Sequence, residues 1–347
     1  MFVYIFMLVF SLLTLIKSKY NRGFYYLLWI IMLLIAGLRY NVGTDYKNYE
    51  RSFLNFEFWF SDTAFIWITK VIKYLGFSVQ GYFFVIALLI QVLIFKSLKK
   101  YTTDFRTFLL SVFFFITLYY FNNSMNTLRQ FIAIGIFLLN IENIINRKFL
   151  RYNMLFIIMF LFHTSSIIFY PLYFLYKSLN PFIRNAKYMN IILIVSFLLM
   201  FVKFDKVIEG LILKYGESFN YTYYATWGAD SYLKYDLSWQ LLVVLITKFI
   251  LSLWIVNNKQ KFIYNKRDEV LFSIFFIGLV LTFPLYPMLI FRRLLFYINI
   301  IEVIIYAMFA KEKSINFYVF VIYSIIFYIV NLLAGFATPL PYTIRIF

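Results

Sequence analysis

The chain has 347 residues, of which 63% are hydrophobic, and its mean hydropathy of +0.81 excludes a water-soluble globular domain. The absence of cysteine excludes disulfides and thiolate catalysis, and one histidine without an Asp-x-Asp motif leaves few ligands for a metal. The net charge of +18 comes from Lys and Arg in short gaps between apolar runs, which is typical of a membrane protein and argues against a nucleic-acid partner.

Apolar runs long enough to cross about 30 Å of hydrocarbon recur along the whole sequence. We therefore predict an all-α polytopic membrane protein with one domain, residues 1–347. The first run lacks a basic n-region and a cleavage site, so we interpret it as a span and not as a removed signal. The predicted spans are 1–16, 23–38, 81–97, 107–121, 127–146, 188–203, 238–256, 269–287, 293–310 and 315–336.

The basic gaps between spans predict the topology, because Lys and Arg favour the cytoplasmic side. The six gaps are 17–22, 96–106, 147–151, 177–187, 259–267 and 311–313. All six are cytoplasmic only if Tyr152–Tyr176 returns to its starting side as a broken or re-entrant hairpin. Both termini then lie outside, and His163 lies near the extracytoplasmic apex of the hairpin. A straight span with a buried His163 is the alternative, and it places 259–267 outside.

Two longer segments, about 40–80 and 204–237, are then extracytoplasmic. The first contains an amphipathic stretch, Ala64–Leu75, which suits a helix in the membrane interface. The second is rich in aromatic residues that suit either membrane anchoring or contact with sugar rings. They are Tyr221, Tyr223, Tyr224, Trp227, Tyr232, Tyr235 and Trp239.

Gly37–Tyr46 is the most unusual stretch, because it follows an apolar run and combines two glycines with two charged residues. Gly43 allows a positive φ or a close approach to a ligand. Arg39 offers a planar fork of donors for phosphate or carboxylate, and Asp45 offers an acceptor or a base. The alternative is a capped helix end with an interfacial Arg–Asp pair.

On the predicted topology, four arginines and the only histidine gather at the extracytoplasmic side. They are Arg39, Arg129, Arg292, Arg293 and His163, and the polar run Asn122–Asn126 forms an outer turn beside them. Arginines that cluster without a metal site suit a polyanionic ligand, above all a diphosphate. Taken singly, an arginine at the end of a span often only anchors the helix at the membrane surface. A lone histidine on an apolar helix likewise often has a structural role and not a catalytic one. For Lys248, in the middle of a span, the simple interpretation is an ion pair with Glu302.

A series of motifs runs in order through nearly the whole chain. The motifs are Gly37-x-Arg39, Val42–Tyr46 with Tyr49, Arg129–Ala133, Phe162–Ser166 with Pro171, Arg292–Tyr297, and Pro341-Tyr342. This series resembles the EpsG family of bacterial membrane proteins. That family is similar to the Wzy polymerases of capsule, O-antigen and exopolysaccharide pathways, which share the GT-C glycosyltransferase architecture. Asp62 stands where such proteins often show a glutamate, and it is not among the residues that we select.

The resemblance implies a GT-C-like bundle of about 10–13 transmembrane or re-entrant helices in the bacterial cytoplasmic membrane. It implies a glycosyltransferase that moves a growing glycan from an undecaprenyl or other polyprenyl diphosphate carrier onto the next carrier-linked repeat unit, on the extracytoplasmic side. A flippase and a chain-length regulator of the same pathway are the expected protein partners. Neither a metal nor another cofactor is expected.

For the site, the reaction requires cations for the leaving diphosphate, which we assign to the four arginines. The acceptor hydroxyl requires a base, for which His163 and Asp45 are the candidates, unless orientation alone suffices. The remaining motif residues are assigned to the glycan or its loop, namely Tyr46, Tyr49, Gln130 and Tyr297. A ligase that uses the same donor and a flippase of carrier-linked oligosaccharide are the alternative functions, and a membrane acyltransferase is a more distant one.

Overall fold

The computed structural model describes residues 1–17, 22–175, 185–215, 233–311, 314–337 and 339–345. Its contacts divide the chain into two compact units, Met1–Ile167 with Val303–Phe347, and Ile168–Glu302. That the chain forms one domain stays a prediction.

The first unit contains most of the helices. They are α1 (Phe2–Lys17), α2 (Gly23–Leu38), α3 (Tyr46–Asn55), α4 (Thr63–Tyr74), α5 (Val79–Tyr101), α6 (Phe105–Thr117), α7 (Tyr120–Asn126), α8 (Leu128–Ile145) and α9 (Phe149–Phe162). Near the carboxyl terminus α17 (Ile315–Leu333) joins them, and two short strands, β1 (Arg39–Tyr40) and β2 (Thr343–Ile344), pair antiparallel.

The second unit is smaller. Its helices are α10 (Ala186–Leu199), α11 (Asp205–Tyr215), α12 (Trp239–Asn257), α13 (Lys266–Leu285), α14 (Leu289–Leu294) and α15 (Phe296–Asn299). Helix α10 packs against both α12 and α13. The chain then passes into α16 (Glu302–Phe309), of which all residues after Glu302 belong to the first unit.

Side-chain caps explain where several helices begin. Ser78 accepts a hydrogen bond from the Gly81 N–H at 3.1 Å and starts α5. Asp104 does the same for α6 through the Thr107 N–H at 2.9 Å. Such caps satisfy backbone donors that the first helical turn leaves unpaired.

The core of the first unit is built around α6, which is buried at every position from Thr107 to Thr117. A helix that is apolar on all sides is expected in such a position. Helix α8 packs against α5 and α9, and a Cβ added to Gly135 of α8 would lie 2.6 Å from Leu93 Cβ of α5. The glycine therefore permits the close approach of α5 and α8.

The membrane class is confirmed. Among the described residues, five helices are long and apolar enough to cross a membrane, namely α5, α8, α12, α13 and α17, and the bent pair α6–α7 makes a sixth candidate. Shorter apolar helices, α1, α2 and α10, match three further predicted spans. The described chain is helical apart from the short strand pair and its loops, so the protein is an all-α polytopic membrane protein.

Two predicted spans are broken. The span predicted at 107–121 ends at Thr117, and the axis bends by 57° into α7, because Tyr119 adopts a left-handed backbone conformation with φ of 70°. The run Asn122–Asn126 thus lies in a short buried helix where a turn between two spans was predicted, and its position at the outer side of the membrane stays a prediction.

The span predicted at 293–310 is likewise divided among α14, α15 and α16. Polar groups on both sides of the last break contact neighbouring helices. Asn299 donates to the Thr282 hydroxyl at 2.9 Å, and Glu302 pairs with Lys248 at 2.7 Å. The predicted Lys248–Glu302 pair is confirmed.

The segment predicted as a hairpin begins with α9, whose 14 residues span about 21 Å and end before His163. A 3-10 segment, Thr164–Phe169, follows directly. The helix is too short to cross about 30 Å of hydrocarbon by itself, which agrees with a broken segment. Residues 176–184 lie outside the described residues, so the return of the chain to the cytoplasmic side stays a prediction.

The predicted amphipathic stretch is the helix α4. The aromatic segment is only partly described. Five of its seven members, from Tyr221 to Tyr232, lie outside the described residues, and their role stays a prediction.

Candidate functional site

The stretch Gly37–Tyr46 is held in place from three directions. Gln80, at the start of α5, donates to the carbonyls of Gly37 and Arg39 at 2.6 and 2.9 Å. The Tyr342 hydroxyl donates to the Ile35 carbonyl at 2.9 Å, so the last sequence motif packs against the first. Carbonyl groups near the end of α2, which lack a partner within the helix, thereby accept hydrogen bonds from side chains.

The guanidinium of Arg39 is fully buried inside this stretch. Its Nη1 donates to the Ala36 carbonyl at 2.7 Å, its Nη2 to the Met125 carbonyl at 2.6 Å, and its Nε to the Val42 carbonyl at 3.3 Å. The ring of Phe83 lies 4.7 Å from Cζ. Each nitrogen thus binds a backbone oxygen, and the described arrangement gives Arg39 a structural role without access for a diphosphate.

Gly43 adopts a φ of 100°, which agrees with the left-handed conformation expected from the sequence. Its closest neighbour is Asn126, whose Oδ1 accepts hydrogen bonds from the Thr44 hydroxyl at 2.9 Å and the Asp45 N–H at 3.0 Å. The stretch is therefore tied to the end of α7, one turn before Arg129. Asp45 itself is half-buried at the start of α3.

A group of charged residues in the first unit centres on Asp62, which lies directly before α4. Its Oδ2 pairs with Arg129 Nη1, and the same oxygen lies 3.6 Å from His163 Nδ1. Its Oδ1 accepts a hydrogen bond from the Thr164 N–H at 3.0 Å. The carboxylate therefore brings together α4, α8 and the end of α9.

Burial by itself raises the pKa of Asp62, but the contact with His163, the charge of Arg129 and the Thr164 N–H outweigh it, so the pKa lies below its usual range. Asp62 is thus ionised at neutral pH. The charges of Asp62 and Arg129 compensate each other, and His163 is held beside a fixed negative charge.

Aromatic rings complete the surroundings of Arg129. Its Cζ lies 4.0 Å from the Phe60 ring centre and 5.4 Å from the Trp59 ring centre, and the guanidinium also interacts with Tyr49. Its Nε has no hydrogen-bond partner among the described residues. Aromatic faces and the carboxylate together fix the direction of the guanidinium.

His163 is the most exposed of the three residues Asp62, Arg129 and His163. It is the residue at which α9 ends, with an extended backbone, and its side chain is 21% exposed. Its Nδ1 faces Asp62, and Nε2 is on the opposite side of the ring from that contact. A carboxylate that orients an imidazole toward a substrate is an arrangement used in general-base catalysis.

The other predicted site residues of the first unit are buried. Tyr46 is buried and stacks on Phe83 with ring centres 4.4 Å apart, and Tyr49 is buried beside Arg129. Gln130 is buried in α8. Their assignment to a glycan stays a prediction.

Three predicted residues belong to the second unit. Arg292 donates through Nε to the Tyr286 carbonyl at 2.7 Å, and Arg293 follows it in α14, half-buried. Tyr297 is fully buried and packs on Phe169 with ring centres 5.0 Å apart. Their predicted contact with the ligand stays a prediction.

Sequence reasoning did not select Asp62, Trp59 or Phe60. A signal for Asp62 was present, since an acid precedes an apolar run at that point and the resemblance places one there. Nothing in the sequence around Trp59 and Phe60 links them to Arg129, which follows roughly 70 residues later.

These features define a multi-pass helical membrane protein with a buried aspartate that contacts a partly buried arginine and a partly buried histidine. Comparison with protein-family models matches the EpsG family over residues 22–344, nearly the whole chain, and the protein belongs to that family. EpsG is a family of Wzy-type polymerases, and membership suggests a glycosyltransferase-like polysaccharide polymerase. Comparisons with curated proteins and with solved structures find no match.

Proposed function

We propose that the protein polymerises oligosaccharide repeat units of a surface polysaccharide that are linked to a polyprenyl diphosphate. The growing glycan leaves its carrier and is joined to a hydroxyl of the incoming unit, on the extracytoplasmic side of a bacterial cytoplasmic membrane. A GT-C-like architecture is part of this proposal. The observation that carries it is the Asp62–Arg129–His163 cluster, in a member of a polymerase family.

In this reaction His163 Nε2 takes the proton of the acceptor hydroxyl. The hydroxyl oxygen attacks the anomeric carbon of the donor sugar, the bond from that carbon to the diphosphate oxygen breaks, and its electron pair leaves with the lipid diphosphate. Asp62 orients the imidazole through Nδ1 and stabilises the imidazolium that forms. Asp45 is the alternative base and is part of the same proposal.

The charges of the cluster suit this sequence of events. Before proton transfer, Asp62 and Arg129 compensate each other and His163 is neutral. After the transfer the cluster carries one net positive charge, at the moment when the diphosphate gains negative charge. Cationic groups that are already in position stabilise such a transition state, and the unpartnered Nε of Arg129 offers a donor to the phosphate.

The direct test is incubation of the purified protein, in lipid nanodiscs, with the carrier-linked repeat unit of the host. Polymerisation yields a ladder of carrier-linked oligomers, with or without a chelator if no metal takes part. A single transfer to a different acceptor would show a ligase. Movement of the unit across the bilayer without a new glycosidic bond would show a flippase.

A further inference from the structure

The loop between α3 and α4 carries an aromatic run, Phe58, Trp59 and Phe60, directly before Asp62. Phe60 lies against the Arg129 guanidinium. Trp59 also faces that guanidinium at 5.4 Å, yet 44% of it is exposed. A large aromatic ring therefore stands open beside the cation that we assign to the diphosphate.

The contacts of Trp59 hold its ring while much of the residue stays exposed. Its ring contacts among the described residues are T-shaped, with Tyr49 at 4.8 Å and 65° and with Phe60 at 4.7 Å and 85°. Neither ring stacks parallel to the indole, and 44% of Trp59 remains accessible to a ligand. A tryptophan held in this way is preorganised for stacking.

The chemistry of the indole face suits a sugar. The aromatic face carries partial negative charge, and the C–H bonds on one side of a pyranose present partial positive charge over a flat apolar area. The indole N–H can in addition donate to a sugar hydroxyl. Membrane anchoring is the other common role of an exposed tryptophan, but an anchor has no need of contact with an Arg–Asp pair.

Resting on the proposed function, we propose that Trp59 binds the donor substrate by stacking on the sugar ring next to the diphosphate. The contact with Arg129 determines which ring this is. If Arg129 binds the diphosphate, the ring bonded to that diphosphate is the one within reach of the indole. Trp59 thereby sets the position of the anomeric carbon relative to His163.

The test compares Trp59→Leu and Trp59→Phe with Trp67→Leu, since Trp67 on α4 is 67% exposed and lies outside the cluster. With the purified full-length protein, Trp59→Leu raises the KM for the carrier-linked repeat unit about tenfold, kcat changes little, and Trp59→Phe restores most of the affinity. Trp67→Leu leaves the KM unchanged. A Trp59→Leu variant with the KM of the wild type, or with the same shift as Trp67→Leu, overturns the proposal.

A binding measurement separates this inference from the proposed reaction. The repeat-unit oligosaccharide with its terminal phosphate, released from the carrier, is titrated into each variant. Binding by the wild type and by Trp59→Phe, with loss in Trp59→Leu, supports the sugar site even if no ladder forms. Equal binding by all variants overturns it even if polymerisation is active.

Discussion

Asp62 and Thr164 are 102 residues apart in the chain, yet the Thr164 N–H donates to Asp62 Oδ1 at 3.0 Å. This bond fixes the end of α9 to the start of α4. Because His163 precedes Thr164, the same bond places the imidazole next to the second carboxylate oxygen. One acidic residue thus determines where the only histidine of the chain lies.

Arg39, which is buried, and Arg129, which is partly buried, are expected to respond differently to lysine. Arg39→Lys loses at least two of three hydrogen bonds to backbone carbonyls, so we expect less folded protein and a lower temperature of unfolding. Arg129→Lys keeps a positive charge near Asp62 but loses the planar contact with Phe60, so we expect normal accumulation and at least a tenfold loss of polymerisation. Arg51→Lys, at an exposed position of α3, is the control for both.

Quantitative size-exclusion profiles and turnover per folded molecule distinguish these outcomes. A fully folded but inactive Arg39→Lys variant would instead indicate direct contact with the diphosphate. Full activity of Arg129→Lys would remove Arg129 from the proposed diphosphate site.

Gly43 is expected to be intolerant of a side chain for two separable reasons. Its φ of 100° strains any other residue, and an added Cβ would lie 3.1 Å from Asn126 Oδ1. Gly76 has a φ of 80°, and no atom lies within 4 Å of an added Cβ. The loss of stability in Gly76→Ala therefore measures the cost of the positive φ alone. We expect Gly76→Ala to cost roughly 1–3 kcal/mol of stability and Gly43→Ala to cost more.

Thermal unfolding in detergent gives the order of the two variants, with Gly210→Ala as a helical control without positive φ or close contacts. If Gly43→Ala is no less stable than Gly76→Ala, the contact with Asn126 does not constrain the stretch.

The predicted topology places α3 and the end of α8 on opposite sides of the membrane. Asn55 and Asn146 are both exposed, and the chain has no native cysteine, so single cysteines at these positions give a clean comparison. We expect an impermeant maleimide to label Asn55→Cys in intact cells and Asn146→Cys only after the cells are opened. The reverse pattern would place the Asp62 cluster at the cytoplasmic side and contradict an extracytoplasmic reaction.

The sequence predicted those parts of the structure that depend on local patterns. Continuous apolar runs predicted α5, α8 and α13 to within a few residues, because hydropathy alone decides whether a segment enters the bilayer. The break at Tyr119 could not be predicted in this way, since tyrosine carries no preference for a left-handed backbone.

The site was predicted in composition more than in arrangement. His163 and Arg129 are brought together as expected, but the residue that joins them, Asp62, lies 67 residues before Arg129 and depends on tertiary packing. Arg39 has the chemistry of an anion-binding residue, and only the fold shows that three carbonyls surround it. Residue type predicts what a side chain is able to bind, whereas its neighbours determine what it does bind.

The pH dependence of polymerisation is expected to reflect His163. The pKa of Asp62 is depressed, so its carboxylate remains ionised, and its stabilising effect is lost only when the pH falls through that depressed pKa. Protonation of the imidazole, by contrast, removes the proposed base from the reaction. We therefore expect activity to fall on mild acidification while the protein stays folded, and the rate to recover when the pH is restored.

In the proposed reaction His163, oriented by Asp62, is the base for polymerisation. The most direct test of this role is the turnover of His163→Gln, per folded molecule, in the ladder assay across pH, with Asp45→Asn measured alongside. We expect a loss of roughly 10²–10⁴-fold for His163→Gln, disappearance of the acidic limb of its pH profile, and near-normal turnover of Asp45→Asn. Near-normal turnover of His163→Gln with an unchanged acidic limb would contradict this role.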